Sequence, residues 1–304
     1  MQGIILAVAA YVIWGLFPLY FNYLSDVSPI EVVIHRSVWS LVATLLLGLF
    51  FKRLGKLFKA FEDKKLILWL GVASALISIN WLVYIWAVAN HRVLESSLGY
   101  FITPVVSLLL ARLFFKEQLH PLQAWAGVIA TVAILWEFIS LGTIPWISLV
   151  LAVAFAFYGV VKKRCQIDGI SGLTIEMIWL VPLGLLWIAW QSLDHNSTVA
   201  FGSNQTITIL LIGSGLLTAV PLVLFSMAAR RVDLSIIGFI MYINPTIQFL
   251  IAVFVLDESY PPQRMITFGI IWFALILFML GLWQIRKTRL AAELAIKLDD
   301  KTKS

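Results

Sequence analysis

Apolar runs with few charges, each about a bilayer's worth of helix, recur along almost the whole chain, separated by short polar gaps. Read as helices, they fall at 3–23, 33–51, 66–89, 94–114, 122–138, 146–162, 173–192, 207–228, 235–256 and 264–284. A helix that crosses the hydrocarbon core needs about 20 predominantly apolar residues, and these runs supply them. The weakest boundary lies between the third and fourth runs, where only Asn90, His91, Arg92 and Glu95 interrupt the pattern. After Gln284 the chain turns charged, with Arg286, Lys287, Arg289, Asp299, Asp300, Lys301 and Lys303, and reads as a solvated, fraying helix outside the bundle.

Composition sharpens this picture. Of 304 residues 61% are hydrophobic and 12% charged, against roughly half and about a quarter in a soluble domain. That excess is too large for one core, so lipid is the natural solvent. The net charge of +6 would suit nucleic acid, but the basic residues sit in the gaps between apolar runs. Membrane orientation asks for that placement, so no nucleic-acid partner is expected. With a cytoplasmic N-terminus, the even-numbered loops face inward and carry Lys52, Arg53, Lys56, Lys59, Lys64 and Lys65, then Arg112 and Lys116, then Lys162, Lys163 and Arg164, then Arg230 and Arg231. The outward loops hold only Arg92, with Arg264 at a helix start, and gather Asp26, Glu31, Asp194 and Asp257. Both termini are therefore expected inside. Met1-Gln2 runs directly into apolar sequence without a basic region, so the first segment is expected to be a retained helix. The single cysteine, Cys165, leaves no internal disulfide and no cysteine-based metal site.

The runs also repeat. A shift of 141 residues brings Ala87 onto Ala228, Pro104 onto Pro245, Leu109 onto Leu250, Ala111 onto Ala252, Glu117 onto Glu258 and Pro121 onto Pro262, with Tyr84 meeting Phe225 and Phe101 meeting Tyr242. A shift of 145 aligns Ala7-Val8-Ala9 with Ala152-Val153-Ala154 and Glu31 with Glu176. Five helices per copy is an odd number, so the second copy enters the membrane upside down. Loop charge agrees: the acidic first gap (Asp26) corresponds to Lys162-Lys163-Arg164, and the gap with Arg112 and Lys116 corresponds to one with Asp257. The expected fold is an all-α integral membrane protein of ten transmembrane helices in two inverted five-helix repeats. They span 3–138 and 146–284, followed by a charged cytoplasmic tail at 285–304. Two inverted halves rocking about a midplane site are a recurring transporter architecture.

Across nearly its full length the chain resembles the EamA branch of the drug/metabolite transporter superfamily, and within it the RarD-type proteins. The likeness rests on Ala10-Tyr11-Val12-Ile13-Trp14-Gly15, His35-Arg36 with Trp39-Ser40, Asn80-Trp81, Ile85-Trp86-Ala87-Val88, Leu94-Glu95 and Ser97-Leu98-Gly99-Tyr100-Phe101-Ile102 with Pro104. The second half adds Ala156-Phe157-Tyr158-Gly159, Glu176 with Trp179-Leu180 and Pro182, Gly238-Phe239, Tyr242-Ile243 and Pro245-Thr246. The resemblance implies a ten-helix carrier of the bacterial inner membrane with a central cavity. It implies no particular cargo, since the link of RarD-type proteins to chloramphenicol sensitivity identifies none.

Ionisable groups at membrane depth cost roughly 2.5–3.5 kcal/mol on insertion scales and are functional candidates by default. Glu31, His35 and Arg36 share a helix face near its outer end. They read either as an outward gate or contact for an anionic solute, or as interfacial snorkelling with Glu31 and His35 paired one turn apart. Glu176, a few residues into the seventh helix, reads as ion coupling or as a structural pair with Lys162 or Lys163. Glu95 reads as a helix N-terminal acid, and Glu117 and Glu258 as residues that cap or pin a turn. Pro104 and Pro245 each remove a backbone hydrogen bond in repeat-related helices, and freed carbonyls need protein or a wet cavity. Interrupted helices at equivalent places point to a binding site; the alternative is kinking for packing alone. Tyr100 and Thr103 flank the first proline, and Tyr242, Asn244 and Gln248 the second. Asn80 and Tyr84 on the third helix, with Trp14, Tyr158 and Trp179, complete an aromatic-polar wall suited to an amphipathic organic solute. Trp69, Trp125, Trp146 and Trp283, near span ends, read as interfacial anchors.

The expected function is secondary transport, as an exporter or exchanger, of a small organic metabolite or drug-like solute by a monomer without cofactor. A nucleotide-binding loop is not visible. A membrane enzyme would need a nucleophile–base or metal grouping, and the four histidines at 35, 91, 120 and 195 are scattered. A channel-like permease stays open as an alternative, disfavoured by the aromatic wall and the lack of charged rings.

Overall fold

The computed structural model describes residues 2–116, 120–165, 167–193, 199–229, 231, 240–259 and 261–303. The expectations that fall on Glu117, Asp194, His195, Arg230, Gly238 and Phe239 lie outside the described residues. Among those described, the chain is helical: α1 (Gln2–Gly15), α2 (Phe17–Asn22), α3 (Pro29–Phe50), α4 (Leu54–Ala60), α5 (Lys64–Ala89), α6 (Val93–Phe115), α7 (Pro121–Leu141), α8 (Trp146–Arg164), α9 (Gly169–Leu193), α10 (Gln205–Ala229), α11 (Ile243–Phe254) and α12 (Pro262–Lys303). Nine described segments, with α1 and α2 counted as one, are long and apolar enough to cross a membrane, and α11 is a shorter apolar helix.

The boundaries have local causes. Pro29, whose missing N–H is harmless in a first turn, opens α3 with Glu31 close behind. Asp63 caps α5, its carboxylate accepting from the backbone N–H groups of Lys65 and Leu66 at 3.0 Å each. His120 and Gln123 form a reciprocal capping box at the start of α7, and Gly142, at φ 64°, ends that helix in the left-handed region. The first apolar run breaks at Leu16 into α1 and α2, with Pro18 in the first turn of α2. The short helix α4, which the apolar pattern leaves unread, lies in the basic loop with Leu57 and Ala60 buried and Lys56 and Lys59 exposed. The two prolines differ. Pro104 lies inside the continuous helix α6, as expected. Pro245 falls in the first turn of α11, with Tyr242 as N-cap, where an absent N–H has no intrahelical partner to lose.

The helices pack in a definite set of pairs: α6 on α8 and α11 on α1, α5 on α8 and α10 on α1, α3 on α10 and α9 on α5, with α3 on α9, α6 on α11 and α7 on α12. One contact is backbone-close. A Cβ added at Gly215 of α10 would meet Trp39 backbone carbon at 2.3 Å and Ser40 nitrogen at 2.6 Å, so only glycine lets α10 approach α3 here. Gly215→Ala is expected to lower the melting temperature of the purified protein by an amount worth about 1–3 kcal/mol. Gly269→Ala, whose Cβ would meet nothing within 4 Å, should leave it unchanged. Equal melting of both variants would show that the α3–α10 contact tolerates displacement.

Candidate functional site

The most buried cation of the described bundle is Arg36 of α3, 3% exposed. Its position follows from helix geometry: Ser37, Ser40 and Thr44 share the buried face of α3, so the fifth residue after Glu31 is carried inward. Its Nε donates to the Thr218 hydroxyl of α10 at 2.8 Å. The guanidinium lies over the Trp81 ring at 4.1 Å and beside Phe17 and Phe21 at 5.3 and 5.4 Å. It is also within electrostatic reach of the phenols of Tyr84 and Tyr100. Among the described residues no carboxylate forms an ion pair with it, and its buried Nη1 has no hydrogen-bond partner. A desolvated cation–π contact returns about 2 kcal/mol and a hydrogen bond from a charged group about 1.5–3 kcal/mol. Burying an ion costs several kcal/mol, and the orphaned N–H adds a penalty of its own. The ring contacts and the Thr218 bond offset much of the burial cost, and the Nη1 donor is left without compensation among the described residues.

Around it sits an ordered polar relay. The Tyr100 hydroxyl donates to Asn80 Oδ1 at 3.2 Å, and Asn80 Nδ2 donates to the Leu151 carbonyl at 3.2 Å. Tyr84 packs against Tyr100 with ring centroids 6.0 Å apart, and its hydroxyl is buried with no partner. Asn80, Tyr84 and Tyr100, chosen from the sequence, are therefore brought together with Arg36. Phe17, Phe21 and Thr218 were missed. The two phenylalanines look like any apolar residue of a span, whereas Thr218, one turn after Ser214 in an otherwise apolar run, was a signal of sorts.

A second group adjoins it. Tyr242 stacks on its repeat counterpart Phe101 at 6.4 Å, and its hydroxyl is also unpartnered. Gln248 Nε2 donates to Asn244 Oδ1 at 2.8 Å and reaches the Trp14 carbonyl at 3.5 Å, while Trp14 packs on Tyr11 and Phe225. Ser97 of α6 donates to the Pro245 carbonyl at 2.8 Å, joining the two proline helices. The Thr103 hydroxyl turns back to the Gly99 carbonyl of its own helix at 2.9 Å.

The remaining candidates divide between the ends of the bundle. Glu176 is fully buried; it accepts from Lys162 Nζ at 2.6 Å and from the Tyr158 hydroxyl at 3.1 Å, which selects Lys162 over Lys163 as its partner. Trp179 is set apart, 44% exposed, with Nε1 donating to the Ile67 carbonyl at 3.2 Å. At the opposite end, where α3, α6, α8, α10 and α12 begin, carboxylates act as clasps. Glu31 is buried rather than snorkelling, and accepts from the backbone of Ala200 and Phe201 at 3.1 and 2.9 Å. His35 stacks on Phe201 at 4.5 Å and stands 3.9 Å from Glu31. Glu258 pins the start of α6 through the N–H groups of Val93 and Leu94 at 2.6 and 2.8 Å; burial pushes its carboxyl up while those two donors pull it back. Glu95, in the first turn of α6, serves in ion pairs: with Arg92 at 2.7 Å and Arg264 at 3.5 Å, and Arg264 also holds Glu137 of α7 at 3.2 Å. Glu137 went unread although a lone carboxyl in an apolar run is the contrast that marks such groups. Two shallow grooves open beside Thr44 and Ile170 and are lined by none of the predicted site residues.

Residues 1–138 match the EamA-like transporter family. Over 280 residues the chain is 39% identical to protein RarD of Escherichia coli, covering 92% of this chain and 94% of that one. It is 40% identical over 281 residues to the uncharacterized transporter YojE of Bacillus subtilis, covering 91% and 93% of the two chains. An uncharacterized transporter of Pseudomonas aeruginosa is 37% identical over 283 residues, 93% of this chain and 95% of its own. A solved crystal structure superposes with a TM-score of 0.58 at 14% identity, over 91% of this chain and 97% of that one, which shows a shared fold.

Proposed function

We propose that this chain, which belongs to the EamA-like transporter family among its RarD-type members, is a ten-span secondary transporter of small organic solutes, working as an exporter or exchanger. The observation that carries the reading is the pairing of helix contacts. Write the spans in order, with α1 and α2 as the first and α11 as the ninth, and exchange each for the span five places on. The contact of α6 with α8 then becomes that of α11 with α1, α5 with α8 becomes α10 with α1, and α3 with α10 becomes α9 with α5. The contacts α3–α9, α6–α11 and α7–α12 map onto themselves. Such a pattern supports two five-helix repeats at 3–138 and 146–284 related by an inverted two-fold axis, the arrangement that lets two halves rock about a midplane site.

The solute site is the Arg36–Trp81–Tyr84–Tyr100 cluster with Asn80, extended by Tyr242, Asn244, Gln248 and Trp14 of the adjoining group. Glu31–His35 lie towards the outer gate and Lys162–Glu176–Tyr158 towards the inner. The basic loops favour a cytoplasmic N-terminus and 285–304 tail, and the likeness to RarD-type proteins favours the inner membrane of a bacterium. It acts as a monomer, without cofactor, and turns over no covalent substrate; a channel-like permease is the second reading. The test is uptake and efflux of a metabolite and drug panel in proteoliposomes, with and without a proton gradient. Saturable flux in one direction or in exchange is expected, reduced at least tenfold by Tyr100→Ala and by Asn244→Ala. Absence of flux for every solute would overturn the reading, and non-saturable flux would favour the channel.

A further inference from the structure

We propose that the transported solute is an organic anion, whose carboxylate or phosphate docks on the Arg36 guanidinium with the Tyr84 hydroxyl as a second donor. This deepens the transporter reading above and rests on it. Arg36 is buried, its Nη1 has no partner, and no described carboxylate pairs with it. The acids that could serve are engaged elsewhere: Glu31 with the backbone of Ala200 and Phe201, Glu176 with Lys162 and Tyr158, Glu95 and Glu137 with Arg264. Any of these described acids would have to abandon its contact to serve as counter-ion, which points to a charge brought by the solute. Buried charges are met by a partner of opposite sign, and a planar guanidinium is shaped for the two oxygens of a carboxylate or phosphate.

The Tyr84 hydroxyl strengthens the case independently. It is a buried donor with no acceptor among the described residues, within electrostatic reach of Arg36. Its neighbour Tyr100 is already committed to Asn80. A phenol and a guanidinium, both with unused donors, converge on a negatively charged acceptor. The rings of Phe17, Phe21 and Trp81 around them favour an anion with an apolar body over a small hydrated ion.

The experiment uses the full-length chain in detergent and in proteoliposomes. Ligand-induced thermal stabilisation is measured with aliphatic carboxylates, aromatic carboxylates and phosphate monoesters, each beside its methyl ester or amide, and flux is measured for the same set. At least one acid should bind tenfold or more tightly than its neutral counterpart and be transported. Tyr84→Phe removes a hydroxyl with no hydrogen-bond partner among the described residues, so it should melt as the parent does while binding that acid several-fold more weakly. Arg36→Lys should keep the preference for acid over ester at reduced affinity. Binding and flux of neutral or cationic members without any acid would overturn the anion site and leave the transporter reading standing. So would an acid bound equally well by the parent, Tyr84→Phe and Arg36→Lys, or silence from every acid at millimolar concentration. Arg36-dependent acid binding with no flux of any solute would instead sink transport and keep the site.

Discussion

Replacing Arg36 with methionine is expected to remove transport without destabilising the protein, and to leave its melting temperature unchanged or raised. The two halves of that expectation have separate causes. Loss of one partner of a buried charge-assisted contact costs about 2–5 kcal/mol, which is roughly 30- to 5,000-fold in affinity for an anionic solute. In the empty protein the balance runs the other way. The arginine is buried, its Nη1 is orphaned, and it lacks a described carboxylate partner, so an apolar side chain of similar length removes a desolvation penalty of several kcal/mol. The Thr218 hydroxyl keeps a partner, since it donates to the Ser214 carbonyl at 2.9 Å. Flux and thermal unfolding of the purified protein check the pair together. A methionine variant that unfolds much earlier than the parent would assign Arg36 to architecture; one that transports normally would remove it from the solute path.

The second large effect concerns the buried pair at the other end, and it is an asymmetry. Lys162→Ala is expected to destabilise by about 3–5 kcal/mol, because it strands the fully buried carboxylate of Glu176. Glu176→Gln should cost distinctly less. Its amide still accepts from Tyr158, and Lys162, whose side chain is 24% exposed, can extend its ammonium towards water. Denaturation in detergent orders the two variants. Equal losses, or the reverse order, would mean that Glu176 lies in a wetter place than its full burial implies. Transport adds a further discrimination: if Glu176 carries a coupling proton, Glu176→Gln should abolish the response of flux to a proton gradient while sparing exchange.

Several elements were legible in the chain before folding, and the reason is their length and period. Spans of 20 or so apolar residues have one solution in lipid, a helix with all its backbone bonds internal, so the runs read at 66–89 and 146–162 became Lys64–Ala89 and Trp146–Arg164. The cluster of Asn80, Tyr84, Tyr100 and Arg36 was partly legible because polar groups in such runs are expensive and therefore stand out. What faded was everything without that contrast. Helix α4 is short, with two lysines among its seven residues, Phe17 and Phe21 are apolar among apolar residues, and Trp179 carries the same ring as Trp81 yet faces outward, 44% exposed against 7%. Helical period alone does not tell a lipid-facing face from a protein-facing one when both are apolar, and the hydrophobic effect does not separate them either.

By itself, then, the sequence determined the solvent, the limits of most spans and the short roster of polar groups that lipid would not tolerate without a reason. Tertiary structure alone decided their partnerships. Glu31 and Glu176 are equivalent under the repeat, but one clasps the backbone at Ala200 and Phe201 while the other pairs with Lys162. Arg36, which the sequence left between a gate and a snorkelling side chain, is enclosed by rings of α2 and α5 and by Thr218 of α10 with no described carboxylate in reach. Whether a charge is satisfied depends on what neighbouring helices bring within about 4 Å of it, a distance that bears no relation to separation along the chain.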